Sequence, residues 1–205
     1  MNPLDALASG GEAILGRPLG SAALGLFDKY LKLLQKWQRT QRLVGSEDAA
    51  WIIERLLLDS LLFLRVLPAE IVSLADVGSG AGVPGIPIKI VRPDIRVVLI
   101  ESRARRVSFL STVIRELGLV DVEAVAARVE EYSRMRPAAF DAVVMRCAGD
   151  FTHLAAASAS LVRPGGLIVA SGPPSPGPLG IGRWVLVEGV RRGETRRFAV
   201  HCLPA

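Results

Sequence analysis

Three glycines alternate with small residues in the segment Asp76-Val77-Gly78-Ser79-Gly80-Ala81-Gly82. Glycine is required where a backbone turns through positive φ or where a ligand must lie against the main chain itself. The segment follows a short apolar run, Ile71 to Val77, and precedes a stretch entered through Pro84. It therefore sits at the carboxyl end of a buried strand, where open α/β sheets hold their ligands. About two dozen residues further on, Glu101 closes a second apolar run, Arg96 to Ile100. A carboxylate at that place accepts hydrogen bonds from both hydroxyls of a ribose, so loop and acid together read as an adenosine-binding crevice. Two cofactor classes use such a crevice. The dinucleotide fingerprint is G-x-G-x-x-G, but here the third glycine, Gly82, comes one position early and Val83 stands where that fingerprint has glycine. The segment also begins with Asp76, able to hold loop amides or a ligand's ammonium group. These details favour S-adenosylmethionine, which has no pyrophosphate to cradle. A nicotinamide dinucleotide is the second reading, and a tight turn without a ligand is the third.

Other residues able to do chemistry are few. Arg146 ends the apolar run Phe140 to Met145; a guanidinium there can fork onto a carboxylate, a phosphate or a guanine O6. It is the expected catalytic residue. Glu130 is a candidate for the adenine end of the crevice, although Glu130-Glu131 also suits a solvated pair. The chain has two histidines, His153 and His201, and two cysteines, Cys147 and Cys202, none at metal-ligand spacing. The expectation is no metal site and two reduced, buried thiols. For a polyanionic partner the first candidates are Lys29, Lys32, Lys36, Arg39 and Arg42, with Arg103, Arg105 and Arg106 second. A solvated helix face is the alternative for these. Arg191, Arg192, Arg196 and Arg197 flank a turn near the C-terminus and could also meet phosphate. Trp37 and Trp51 are able to stack on a base, but Trp37 lies on an apolar stripe.

The elements that position these groups follow from periodicity. Leu24, Phe27, Leu31, Leu34 and Trp37 share one helical stripe between Ala23 and Arg39. A second helix is expected from Asp48 to Leu64, ended by Pro68. Apolar runs at Ile71 to Val77, Arg96 to Ile100, Val122 to Val125, Phe140 to Met145 and Leu167 to Ala170 read as strands. Between them, Gly85 to Val91, Arg103 to Leu117 and Phe151 to Leu161 read as helices, with Pro87 in a first turn and Gly118 as a C-cap. Alternating strands and helices imply a parallel sheet covered on both faces. Ser171 to Gly182, rich in Pro and Gly, reads as a loop. Arg183 to Glu188 and Arg196 to Leu203, joined near Arg192-Gly193, read as a β-hairpin. The expected organisation is a weakly patterned segment over 1–22 and one domain over 23–205, with helices in 23–67 and an α/β core in 68–205.

The bulk numbers agree with that. The chain has 205 residues, half of them hydrophobic, which suits one domain with a sizeable core. A formal net charge of +5 favours an anionic partner. No apolar stretch reaches the roughly 18 residues of a membrane span, and residues 1–20 do not read as a secretory signal. The expected compartment is the cytoplasm.

Several segments carry a family resemblance. These are Asp76 to Pro87, Ile-Val-Arg-Pro (90–93), Glu-Ser (101–102), Arg-Val-Ser-Phe-Leu (106–110) and Glu-Leu-Gly-Leu (116–119). Arg-Val-Glu-Glu-Tyr (128–132), Phe140 to Arg146, Pro-Gly-Gly (164–166) and Leu-Leu-Asp-Ser (57–60) join them. Together they resemble the bacterial small-subunit ribosomal RNA 7-methylguanosine methyltransferases, the glucose-inhibited division protein B family, from about Leu24 to the C-terminus. The resemblance implies a class I S-adenosylmethionine-dependent methyltransferase: a Rossmann-like seven-stranded α/β sheet with N-terminal helices and a C-terminal hairpin. It implies methylation of N7 of a guanine in 16S rRNA, with the rRNA or small ribosomal subunit as partner; the chain itself is expected to be a monomer. Cofactor contacts would fall on Gly78, Val83, Val129, Glu130 and Arg146, beside Asp76, Gly80, Gly82 and Glu101. Arg196 matches an arginine of the family's last strand and joins the RNA-binding set. Guanine N7 carries a lone pair and no proton, so its methylation needs alignment rather than a general base. The chain departs from the family at Leu56 (usually His), at Cys147-Ala148-Gly149, and at Ser171-Gly172, where the family has lysine then glycine. The alternatives are an adenosylmethionine-binding relative with another substrate and a non-catalytic RNA- or ribosome-binding protein.

Overall fold

A computed structural model describes residues 3–146, 151–172, 177–191 and 193–205. Strands β1 (Ser73–Val77), β2 (Arg96–Glu101), β3 (Val122–Ala126), β4 (Phe140–Met145), β5 (Val162–Ser171), β6 (Arg183–Glu188) and β7 (Thr195–Cys202) form one sheet in the order β3-β2-β1-β4-β5-β7-β6. The pairs among β1 to β5 are parallel, whereas β7 runs antiparallel to both β5 and β6. Helices α5 (Gly85–Val91), α6 (Ala104–Leu117), α7 (Val129–Met135) and α8 (Phe151–Ser158) connect the parallel strands. The order reverses between β1 and β4, so the crevice of a doubly wound sheet opens above β1.

Strand residues alternate between two apolar layers, as a pleat of period two requires. Leu74, Val97, Leu99, Ala142 and Val144 face the N-terminal helices with α5 and α6. Ala75, Val77, Val98, Ile100, Val143 and Met145 face α7 and α8.

The first layer is covered by α1 (Pro3–Leu15), α2 (Ser21–Gln41) and the run from Ala49 to Arg65. That run starts as α3 (Ala49–Ile52), capped by the Asp48 carboxylate accepting from the Trp51 amide at 2.7 Å. It widens into a π-helical segment, Ile53–Leu58, and closes through α4 (Asp59–Leu61) and a 3₁₀ turn, Leu62–Arg65.

Four features differ from the sequence expectation. The segment 1–22 contains α1, whose glycines serve close packing: a Cβ on Gly10 would lie 2.6 Å from Leu58 Cδ1, and one on Gly11 would overlap Leu19 Cδ1. Helix α7 lies in a stretch to which the sequence assigns no element, because its seven residues are too few and too polar to show a stripe. Strand β5 begins five residues early, at Val162. Cys202 is exposed rather than buried, whereas Cys147 and Arg192 lie outside the described residues.

Candidate cofactor cleft and basic surface

The loop after β1 is tied to its neighbour strand: the Gly78 and Ser79 amides donate to the Ile100 carbonyl at 2.9 and 3.2 Å. Gly78, Gly80 and Gly82 all have positive φ, at 71°, 56° and 87°. They do different work. A Cβ on Gly78 would meet no atom within 4 Å, so its bare backbone fronts open space. A Cβ on Gly82 would overlap Ile86 Cδ1, so that glycine lets loop and α5 close on each other. Tyr30 Oη, buried on α2, donates to the Ala81 carbonyl and pins the loop from the helical side. Burial holds its pKa well above the usual tyrosine value, keeping it a donor.

Open space in front of Gly78 belongs to a cleft of about 180 Å³ lined by Val77, Gly78, Ile100, Glu101, Val129 and Glu130, among others. Glu101 is nearly buried. Its Oε2 accepts from the Gly80 amide at 3.0 Å and its Oε1 from the Arg103 amide at 2.9 Å. Each carboxylate oxygen has two acceptor sites, so both remain able to accept a hydroxyl. Val129 and Glu130 open α7, with Arg128 at the N-cap.

Five expected cofactor contacts, Asp76, Gly80, Gly82, Val83 and Arg146, do not line this cleft. Val83 sits in the apolar layer under α5 and does not line the cleft. Gly82 packs on Ile86. Asp76 precedes Val77 by one residue, so the pleat turns it to the opposite face. There its Oδ2 accepts from the Gly85 amide at 2.9 Å, which is one of the two tasks expected of it. Its Oδ1 is buried and has no hydrogen-bond partner among the described residues. Burial pushes the Asp76 pKa up to about 7.

Arg146 lies on that same opposite face, two residues beyond Val144, the register partner of Asp76. Its Nη2 is 3.6 Å from Asp59 Oδ2, and its Nη1 is buried without a partner among the described residues. Burial lowers its pKa against the pull of Asp59. Asp59 Oδ1 takes Arg196 Nη2 at 2.6 Å. The expected RNA contact Arg196 is therefore half-buried and engaged by a carboxylate. Asp59 is the residue the sequence reading missed as a site residue. Its signal was a lone acid inside Leu56-Leu57-Leu58-Asp59-Ser60-Leu61-Leu62, placed at the end of a π-helical segment of the kind found at functional sites.

The remaining basic candidates separate. Lys29, Lys32 and Lys36 are exposed on α2, and Lys32 pairs with Asp28 at 2.6 Å. Arg39 and Arg42 at the end of α2 meet Arg103, Arg105 and Arg106 at the start of α6 around one concave surface of about 730 Å³. The fold thus joins two sets that are about 60 residues apart in sequence. Arg191 pairs with Glu54 at 2.8 Å. Trp37 packs edge-on to Phe109 as part of the core, while Trp51 is about a third exposed. No His/Cys/Asp/Glu group able to hold a metal occurs among the described residues.

Five parallel strands, an antiparallel β7 inserted before β6 and a glycine loop after the central β1 define a class I S-adenosylmethionine-dependent methyltransferase fold. The same fold occurs in the O-methyltransferase TomG of Streptomyces achromogenes, solved with SAM, at TM-score 0.57 and 16% identity over 92% of both chains. A SAM-dependent methyltransferase of Aquifex aeolicus superposes at TM-score 0.53 and 17% identity over 75% of this chain and 93% of that one. Residues 24–172 match the GidB family, rRNA small subunit methyltransferase G, and the chain belongs to that family. Among its relatives, the ribosomal RNA small subunit methyltransferase G of Alkalilimnicola ehrlichii is 37% identical over 82% of this chain and 74% of its own length. That of Aromatoleum aromaticum is 39% identical over 78% and 76%.

Proposed function

We propose that this chain methylates N7 of a guanine in 16S ribosomal RNA, with S-adenosylmethionine as donor. The observation that carries the reading is the pairing of Gly78 and Glu101 across one cleft. A glycine held at positive φ with nothing before its missing side chain gives a ligand direct access to the main chain. A nearly buried carboxylate with acceptor sites left over suits the two hydroxyls of a ribose.

When bound, the cofactor supplies a methyl group on a sulfonium, open to in-line displacement. The protein's part is placement. Glu101 would hold the ribose hydroxyls, and Val129 and Glu130, which line the same cleft, would border the adenine. Gly78 offers backbone that a larger residue would cover, and the Gly80 amide holds Glu101 in place. On the other face of β1 and β4, Asp76 Oδ1 and Arg146 Nη1 are buried atoms of opposite charge with hydrogen-bonding capacity unused among the described residues. That donor and acceptor pair matches an ammonium and a carboxylate, the two charged groups of the methionine moiety. The same Nη1 is alternatively able to donate to guanine O6 alone, leaving the N7 lone pair free. Guanine N7 gives up no proton when it attacks, so no residue has to act as base, and rate comes from alignment and exclusion of water. The rRNA or small subunit is the partner, and we infer a cytoplasmic monomer.

The test is incubation of the protein and labelled S-adenosylmethionine with purified 30S subunits and with naked 16S rRNA, followed by mapping of 7-methylguanosine by chain scission. Label at a single guanine N7 is expected. Absence of label in both substrates, or label on another atom, overturns the proposal.

A further inference from the structure

We propose that the arginine-lined basin between the carboxyl end of α2 and the amino end of α6 is where the RNA sugar-phosphate backbone docks; this rests on the rRNA reading above. Arg39, Arg42, Arg103, Arg105 and Arg106 line it, and the other lining residues are uncharged. Its volume of about 730 Å³ falls within the roughly 300–1,000 Å³ of sites that enclose drug-sized ligands. Two carboxylates approach these five guanidiniums within 4 Å among the described residues. Glu47 reaches Arg39 at 3.9 Å and Glu101 reaches Arg106 at 3.6 Å. Arg42, Arg103 and Arg105 are exposed and stand in no such pair. Clustered like charges repel and destabilise a fold unless an anion fills the space between them.

The chemistry favours phosphodiester. All five cations are arginine, whose planar fork matches phosphate oxygens two at a time and whose plane also stacks on bases. Arg42 ends α2 in the left-handed conformation, at φ 47°, a position that glycine or asparagine takes at lower cost.

The location favours a substrate strand over a remote anchor. Arg106 forms the wall between basin and cleft: its Nη1 reaches Glu101 Oε2, which in turn accepts from the Gly80 amide. A phosphate in the basin lies one side chain away from the carboxylate assigned to the cofactor ribose. Backbone held there brings an adjoining nucleotide to the mouth of the cleft.

The experiment measures binding of a 16S rRNA transcript at several salt concentrations for the wild type, for Arg42→Ala/Arg105→Ala, and for Arg134→Ala/Arg136→Ala. The last pair removes the same charge from exposed sites at the far side of the sheet. Every phosphate left without its cation lowers the slope of log K against log salt by about 0.7–0.9. The basin variant is expected to fall short of the wild-type slope by about 1.4–1.8 and to bind roughly tenfold or more weakly at low salt. It should keep wild-type affinity for S-adenosylhomocysteine, with the control pair unchanged. An unaltered slope in the basin variant, or an equal reduction in the control, overturns the docking site even where the wild type methylates rRNA. A shallower slope in the basin variant alone, with no methyl transfer by the wild type, upholds the docking site and sinks the methylation reading. A wild type that binds no RNA at any salt overturns both.

Discussion

Replacing Gly78 and Gly82 separately by alanine gives opposite signatures if one glycine faces a ligand and the other faces the core. Both backbones sit at positive φ, at 71° and 87°, so an alanine at either carries a left-handed penalty of about 1–2 kcal/mol. For Gly78→Ala that is the whole cost, because the new Cβ meets nothing within 4 Å. At roughly 2–4 °C per kcal/mol for a chain of this size, Tm falls by about 2–8 °C. The methyl group then stands where the ligand lies against the main chain. An overpacking cost of about 1–3 kcal/mol translates into a Kd for S-adenosylhomocysteine weaker by about 5–150-fold. For Gly82→Ala the Cβ overlaps Ile86 Cδ1 and arrives 3.1 Å from Leu110 Cδ2. Overpacking of about 1–3 kcal/mol adds to the backbone penalty, for a total of about 2–5 kcal/mol and a fall of roughly 4–20 °C. Ligand affinity in the fraction still folded should change little. Thermal unfolding and isothermal titration calorimetry read the two quantities independently. Wild-type affinity in Gly78→Ala, or equal Tm losses in the two variants, refutes the division of labour between the glycines.

Glu101→Gln puts an amide donor against the Gly80 or Arg103 amide. Stability should drop by about 1.5–3 kcal/mol, and calorimetry should show S-adenosylhomocysteine binding at least tenfold weaker; undiminished affinity removes Glu101 from the ribose site. Asp59→Ala leaves the Arg146 and Arg196 guanidiniums without their shared carboxylate. A broken buried pair costs about 3–5 kcal/mol, which scanning calorimetry should show as a Tm loss of roughly 6–20 °C; a loss under about 2 °C contradicts a buried network. For Asp76, the folded pKa of about 7 lies above the ordinary aspartate value of 3.8. Between these two values the native state holds more protons than the unfolded chain, so stability falls as pH rises through that window and levels off above about 7. Asp76→Asn lacks the titration, so its stability relative to wild type should improve from about pH 5 to about pH 8. A pH-independent difference in urea midpoints shows that Asp76 is not desolvated.

Much of the α/β core was legible because strand and helix periods differ and glycine or proline marks the boundaries. Gly85–Val91, Phe140–Met145 and Arg183–Glu188 run as the sequence predicts. Pro84 enters the first of these, and a mostly apolar run interrupted at Asp141 defines the second. Helix α1 escaped because Gly10 and Gly11 weaken the propensity signal, at about 1 kcal/mol each relative to alanine. Their worth lies in a tertiary contact, the close approach of Leu58 and Leu19. The basin was legible only as two separate sets of cations. Nothing local in Arg39 to Arg42 tells of Arg103 to Arg106; α2 and α6 bring them together by packing in one apolar layer.

The separation of Asp76 and Val83 from the cleft has a different origin. Motif reading treats the residues around a glycine loop as one constellation, but a strand sends neighbours to opposite faces. With Val77 in the layer of α7 and α8, Asp76 must face α5, and its register partner Val144 carries Arg146 to the same side. Parity thus divides the candidate residues in two. One set, Gly78, Glu101, Val129 and Glu130, lines the cleft beside the glycine loop. The other, the buried Asp76 and Asp59 with the half-buried Arg146 and Arg196, forms a polar cluster under the helical layer. On the proposed reading, a ligand bridging both would pass over the Gly78 backbone, where nothing lies within 4 Å of an added Cβ, so a side chain there is expected to cost ligand binding at least as much as it costs stability.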